Sequence, residues 1–148
     1  MILEYLKTSS LFILLGGLVR YLCSSIDSNY LINFLDENLI SLLIALLAIN
    51  TTTGSILMTK LHDILKQHGG DFQSTLSQLK LSIIEQLSFI IIALIALVLL
   101  DSKQIVESYF FAKLILESTL IAVFIASLHN LYDTASSIFI ILSWEGEQ

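Results

Sequence analysis

Apolar residues crowd four stretches of the chain, at about residues 8–26, 39–59, 81–100 and 114–142, and short polar segments separate them. A helix needs roughly 20 apolar residues to cross a hydrocarbon layer of ~30 Å, so each stretch is a candidate span. No proline occurs anywhere, so nothing forces a kink or a broken helix, and straight packed helices are expected. The expected fold is an all-α integral membrane four-helix bundle forming a single domain.

Between the second and third stretches, KLHDILKQHGGDFQSTLSQLK keeps a helical period through Leu57, Leu61, Ile64 and Leu65. Gly69 and Gly70 break that period, and Phe72, Leu76, Leu79 and Ile83 resume it. A short helical hairpin over about 60–80 is therefore predicted, turning at the glycines. Lys60, Lys66 and Lys80 mark this hairpin, whereas 28–38 carries Asp36 and Glu37 and no cation. Cations collect on the cytoplasmic side, which places the hairpin there together with both termini. Lys7 agrees with this orientation, while Lys103 and Lys113 in the third loop dilute it. A multi-pass membrane protein with the hairpin and both termini on the cytoplasmic side is therefore expected.

The fourth stretch is too long for one crossing unless it tilts or protrudes. One register sets Glu117 just below the outer surface. The other brings His129, Asn130 and Asp133 toward the centre, with Trp144 as the inner interfacial anchor.

Composition turns the hydropathy pattern into a lipid argument. Of 148 residues, 55% are apolar and 14% charged, against roughly 45–50% and 25% in ordinary globular proteins. With a mean hydropathy of +0.85, a soluble fold would leave large apolar patches in water. The net charge of -6 is scattered and no basic run exists, so nucleic acid is not an expected direct partner. Cys23 is the only cysteine, which excludes an intrachain disulfide and a cysteine-based zinc site. Arg20, Tyr21 and Leu22 lack the small residue that lipoprotein processing needs, and Arg20 interrupts the apolar region of a cleavable leader, so the first span is expected to stay.

Ionisable groups at membrane depth are costly, and each needs a partner. Arg20 and Glu117 lie at similar depth in the first register and form a candidate ion pair; the alternative is snorkelling and an interfacial carboxylate. Glu85 shares a depth with His129 and Asp133, which stand one turn apart, and the three form a candidate proton-sensitive cluster or a satisfied polar patch at the membrane exit. Asn50, Thr51, Thr52 and Thr53, followed by Gly54 and Ser55, make a polar step in the second span. Hydroxyls can bond to their own helix, but Asn50 should seek another helix or line a wet path. Small residues recur as Ser10, Gly17 and Ser24; as Ala45, Ala48, Thr52 and Ser55; as Ala93 and Ala96; and as Ser118, Ala122, Ala126 and Asn130. Such stripes let membrane helices approach closely, within one chain or between copies.

His62 and His68 do not stand at the i, i+4 spacing of a metal pair, and no converging nucleophile, base and oxyanion donors are found. Neither catalytic activity nor a metal or other cofactor is expected.

Four spans in a short chain, the NTTTGS step, the amphipathic hairpin around HGGDF, and His129 and Asn130 ahead of the acidic EGEQ tail together resemble the small four-span membrane proteins of prokaryotic phage-defence systems. The membrane subunit of the Kiwa system and the exclusion protein RexB are of this type, although the RexB loop is more basic. The resemblance implies a location in the inner, cytoplasmic membrane of a prokaryote, and either infection sensing at the envelope with a soluble partner or ion conduction that collapses the membrane potential. No functional residue carries over.

The first functional expectation is thus an oligomeric membrane sensor or scaffold, presenting Asp63, Lys66, Asp71 and Gln73 of the hairpin to a soluble cytoplasmic partner. The alternative is a gated pore lined by Asn50, Thr53, Glu85, His129 and Asp133. A holin-like lysis protein comes last, because EGEQ replaces the cationic tail usual in such proteins.

Overall fold

In the computed structural model the chain forms five helices: α1 (Ile2–Ser25), α2 (Tyr30–His68), α3 (Gln73–Asp101), α4 (Lys103–Ser108) and α5 (Ala112–Glu145). The structure describes residues 2–68, 73–108 and 111–145, and no strand occurs among them. Helices α1, α2, α3 and α5 are each long and apolar enough to cross a membrane.

Helix α2 begins nine residues before Leu39, where the second apolar stretch starts, and the cause is local. Asp36, Glu37 and Asn38 interrupt the hydropathy but not the helical period. Ile32, Leu35 and Leu39 turn inward at i, i+3, i+7 and are buried, while Asp36 and Glu37 point outward. Nor does the polar step further along break the helix. Thr51, Thr52, Ser55 and Thr59 donate their hydroxyls to the carbonyls of Leu47, Ala48, Thr51 and Ser55 at 2.8–3.0 Å, so their polarity is absorbed locally.

The turn from α1 into α2 has the hydrogen bonds of a Schellman C-cap. Ser28 N–H donates to the Cys23 carbonyl (2.9 Å) and Asp27 N–H to that of Ser24 (3.2 Å). Asp27 takes the left-handed position usual for glycine, at φ 53°. At the end of α3, Ser102 breaks α3 from α4, and its carbonyl accepts the Ile105 and Val106 N–H groups.

Helices α2, α3 and α5 pack mutually, whereas α1 docks chiefly on α5. The three-helix core joins Leu35, Leu39 and Leu43 of α2 to Ala93 and Ala96 of α3 and to Leu120 and Ile121 of α5, all essentially inaccessible. The two alanines allow α3 to approach closely. On the other side of α5, α1 makes its closest approach at Gly16. A Cβ there would overlap the Ser118 carbonyl oxygen and come within 2.9 Å of Ala122 Cβ, whereas Gly17 has open space around its Cα. The predicted α1 stripe through Gly17 is therefore corrected by one residue: Gly16 is the contact, and Ser10 and Ser24 are exposed.

Candidate functional site

Polar side chains gather at two levels of the bundle. Counted along α5 from Glu117 to Asp133, the levels are about 24 Å apart at ~1.5 Å per residue.

At the first level Arg20 of α1 meets Glu117 of α5, with Nε donating to Oε2 at 2.5 Å. Glu117 is almost fully buried and Arg20 largely so, and Lys113 Nζ stands 3.9 Å from the other carboxylate oxygen. Two opposite charges held this closely offset the cost of removing each from water, and removing either one would leave the other uncompensated. The pair joins α1 to α5 one turn from Gly16.

At the second level a neutral hydrogen-bonded seam crosses the three-helix core. Asn50 Nδ2 donates to Ser82 Oγ (2.9 Å), and Ser82 Oγ donates to Asn130 Oδ1 (2.6 Å) or contacts Thr134 Oγ1 (3.1 Å). Asn130 Nδ2 donates to the Ser82 carbonyl (2.9 Å) and to Gln86 Oε1 (3.4 Å), and Gln86 Nε2 reaches the Leu43 carbonyl (3.4 Å). Asn50, Gln86, Asn130 and Thr134 are all buried. Among the described residues, buried Asn50 Oδ1 accepts no hydrogen bond. Exchanging the amide oxygen and nitrogen would leave Nδ2 in that position instead, so one polar atom of Asn50 stays unmatched by the protein either way. The seam stops at Gln86, above which the leucine and alanine core closes the bundle.

Next to the seam, a cavity of about 640 Å³ opens between α1 and α3, with α5 as its floor. Its polar end holds Glu85, His129 and Asp133 beside Thr8 and Ser9 of α1. His129 Nδ1 lies 3.2 Å from Asp133 Oδ2, with both side chains about half exposed, and Phe12 sets its ring edge-on to the imidazole at 5.3 Å. The three ionisable residues expected to cluster thus line one cavity, which opens outward.

Asn50 belongs to the seam, Thr53 is half-buried beside it on α2, and His129 and Asp133 face the α1–α3 opening. Within one copy, Glu85, His129 and Asp133 line that opening, whereas Asn50 and Thr53 do not. Asp63, Lys66 and Gln73 are exposed on the extensions of α2 and α3, over buried Leu57, Leu61 and Ile64. Asp71 lies outside the described residues, as do Gly69 and Gly70. Among the described residues no three His, Cys, Asp or Glu side chains are placed to hold a metal ion.

Sequence reasoning missed Ser82, Gln86 and Thr134, which connect the seam. Their signal was a pair of i, i+4 polar positions in apolar helices, Ser82 with Gln86 and Asn130 with Thr134, each presenting two hydrogen-bonding groups on one face. It missed Gly16 because adjacent glycines look alike in a sequence. On α2 the small residues Ser41, Ala45, Ala48, Thr52, Ser55 and Thr59 recur at alternating spacings of four and three and are all exposed, on the side away from the core leucines.

No protein-family model, curated protein or solved structure matches the chain.

Proposed function

We propose that the chain is a multi-pass membrane protein without catalytic chemistry of its own, acting as a sensor and scaffold that presents the ends of α2 and α3 to a soluble cytoplasmic partner. A role in phage defence rests on the resemblance described above. The observation that carries the scaffold reading is the continuation of α2 and α3 past the polar seam. Leu57, Leu61 and Ile64 stay buried there while His62, Asp63, Lys66 and Gln73 face outward, so a packed support holds out a polar surface. Filling of the core above Gln86 by Leu35, Leu39, Leu43, Leu120 and Ile121 weighs against conduction through a single copy. Self-association has a natural surface in the exposed small-residue face of α2, since the small residues of α3 and α5 are already used inside the chain.

The test is purification of the tagged protein from its native host in mild detergent, with its mass and co-purifying proteins determined. A soluble protein recovered at fixed stoichiometry, and lost with Asp63→Ala, Lys66→Ala and Gln73→Ala while membrane insertion is unchanged, is the expected result. Unchanged recovery would count against the hairpin as the docking surface.

A second reading, a pore between copies, draws on the hydroxyls of Thr52, Ser55 and Thr59 on that exposed α2 face. It requires ion flux from liposomes holding the pure protein under voltage, pH or mechanical challenge. Silence in all three would remove it.

A further inference from the structure

We infer that a second cavity, between the start of α3 and the end of α5, is a one-sided aqueous vestibule that admits water from the hairpin side as far as the Asn130 seam. The inference rests on the membrane reading above and adds to it a wet cut into the apolar band.

The first support is the cavity itself. It measures about 200 Å³ and, apart from Leu57, Leu79 and Leu81, its described lining residues are polar. A water molecule needs roughly 10–15 Å³ of such space and two to four polar partners, so several fit. Thr75 and Gln78 of α3 and Ser137 of α5 stand at the mouth, and Ser82, Asn130 and Thr134 of the seam form the floor. From Ser137 to Asn130, and equally from Thr75 to Ser82, the depth is about 10 Å at ~1.5 Å per residue. Water both donates and accepts, so its fit does not depend on the protonation of Glu85 and Asp133, which also line the wall. Just past the floor, Asn50 Nδ2 donates to Ser82 Oγ, while Oδ1 of the same buried amide receives no hydrogen bond among the described residues. A buried acceptor that the protein leaves unmatched is ordinarily matched by ordered water.

The second support is the outer surface at the level of the mouth. Counted toward the hairpin at ~1.5 Å per residue, Met58 of α2, Ser74 of α3 and Phe139 of α5 all lie about 12–14 Å beyond the seam residues Asn50, Ser82 and Asn130. Met58 and Phe139 are exposed, so α2 and α5 still carry an apolar surface there. Helix α3 does not, since Gln73, Ser74, Ser77, Gln78 and Lys80 are its exposed residues in that stretch. On two helices the seam thus sits inside the apolar band, while the third offers a polar flank that leads to it. Polar groups at such a depth are costly against lipid and are accommodated beside water. Past Gln86 the leucine and alanine core closes the path, so the vestibule opens on one side only. A cut of this shape hydrates the seam without making a pore through one copy.

Water-edited solid-state NMR of the full chain in lipid bilayers tests this, with asparagine, alanine and valine isotopically labelled. Magnetisation that starts on water should reach the side chains of Asn130 and Asn50 at a rate near that of Asn33, which is exposed at the start of α2. It should reach them several times faster than it reaches the methyl of Ala93 in the closed core. Ser137→Phe fills the mouth from α5 and should bring both asparagines down to the Ala93 rate while leaving Asn33 unchanged. Should that variant fail to assemble, Thr75→Phe closes the same mouth from α3. Transfer to Asn130 no faster than to Ala93 in the unmodified chain overturns the vestibule. Transfer that survives closure of the mouth overturns it too, because the water then arrives by another route such as the α1–α3 cavity. Val98, exposed on α3, separates the two readings. Water reaching Val98 as fast as Asn33 overturns the membrane reading, whereas a dry Val98 together with a dry Asn130 overturns the vestibule alone.

Discussion

At the scale of single residues, the docking of α1 turns on one hydrogen atom. Gly16 lacks a Cβ where α5 presents the Ser118 carbonyl and the Ala122 backbone, while Gly17 faces open space. Alanine normally favours a helix over glycine by up to ~1 kcal/mol, so Gly17→Ala should be neutral or slightly stabilising. Gly16→Ala gains the same propensity but forces backbone apart, and overpacking of this kind costs about 1–3 kcal/mol. Thermal unfolding in mild detergent should show the two variants moving in opposite directions. Similar midpoints for both would mean that α1 does not dock at Gly16. The neighbouring ion pair was easier to foresee. Arg20 and Glu117 are each costly in an apolar span, opposite in sign and similar in depth in one register of the fourth span, so sequence contained both the need and a candidate partner, with snorkelling as the alternative. Nothing in the pattern distinguished Gly16 from Gly17, because the choice depends on the rotation of α1 about its axis, which only the α5 surface fixes.

At the scale of elements, the number and order of the apolar helices were legible because each span shows as an unbroken run of apolar residues. Helix ends were not, because hydropathy records what surrounds a residue and not the helical state of its backbone. Asp36 and Glu37 lowered the hydropathy of α2 yet left its inward stripe of Ile32, Leu35 and Leu39 intact. Asn50 was expected to reach another helix and donates to Ser82, but the hub of the seam is Asn130, whose amide accepts from Ser82 Oγ and donates to both Ser82 O and Gln86 Oε1. Losing the hub strands several buried groups at once, and each stranded group costs more than a hydrogen bond contributes. Asn130→Leu should therefore destabilise the fold by about 1–3 kcal/mol. Asn50→Leu removes one hydrogen bond together with an unmatched buried oxygen and should cost less than ~1 kcal/mol. The ordering is the content of the prediction, and denaturant titration of both variants in the same micelle would reject it if Asn50→Leu proved the more damaging.

At the scale of the whole molecule, the bundle is a three-helix core with a fourth helix attached at its side. The buried cluster draws Ile32, Leu35, Leu39 and Leu43 from α2, Ala93 and Ala96 from α3, and Leu120, Ile121 and Val123 from α5; among the described residues α1 contributes no fully buried member and adds half-buried Val19 at its edge. What fastens α1 is the Gly16 contact, the Arg20–Glu117 pair and the Phe12–His129 edge, all on α5. Local opening free energies follow the density of buried contacts, so an element held along one side opens before an element held along two. Hydrogen exchange followed by mass spectrometry in nanodiscs should accordingly find the amides of α1 around Gly16 exchanging faster than those of α2 around Leu39, α3 around Ala93 or α5 around Leu120, although all four helices are long and apolar enough to cross a membrane. Gly16→Ala should widen that gap by loosening α1 while leaving the core helices as protected as before. Uniform protection across the four helices, unchanged by Gly16→Ala, would show that α1 and the core open as one cooperative unit.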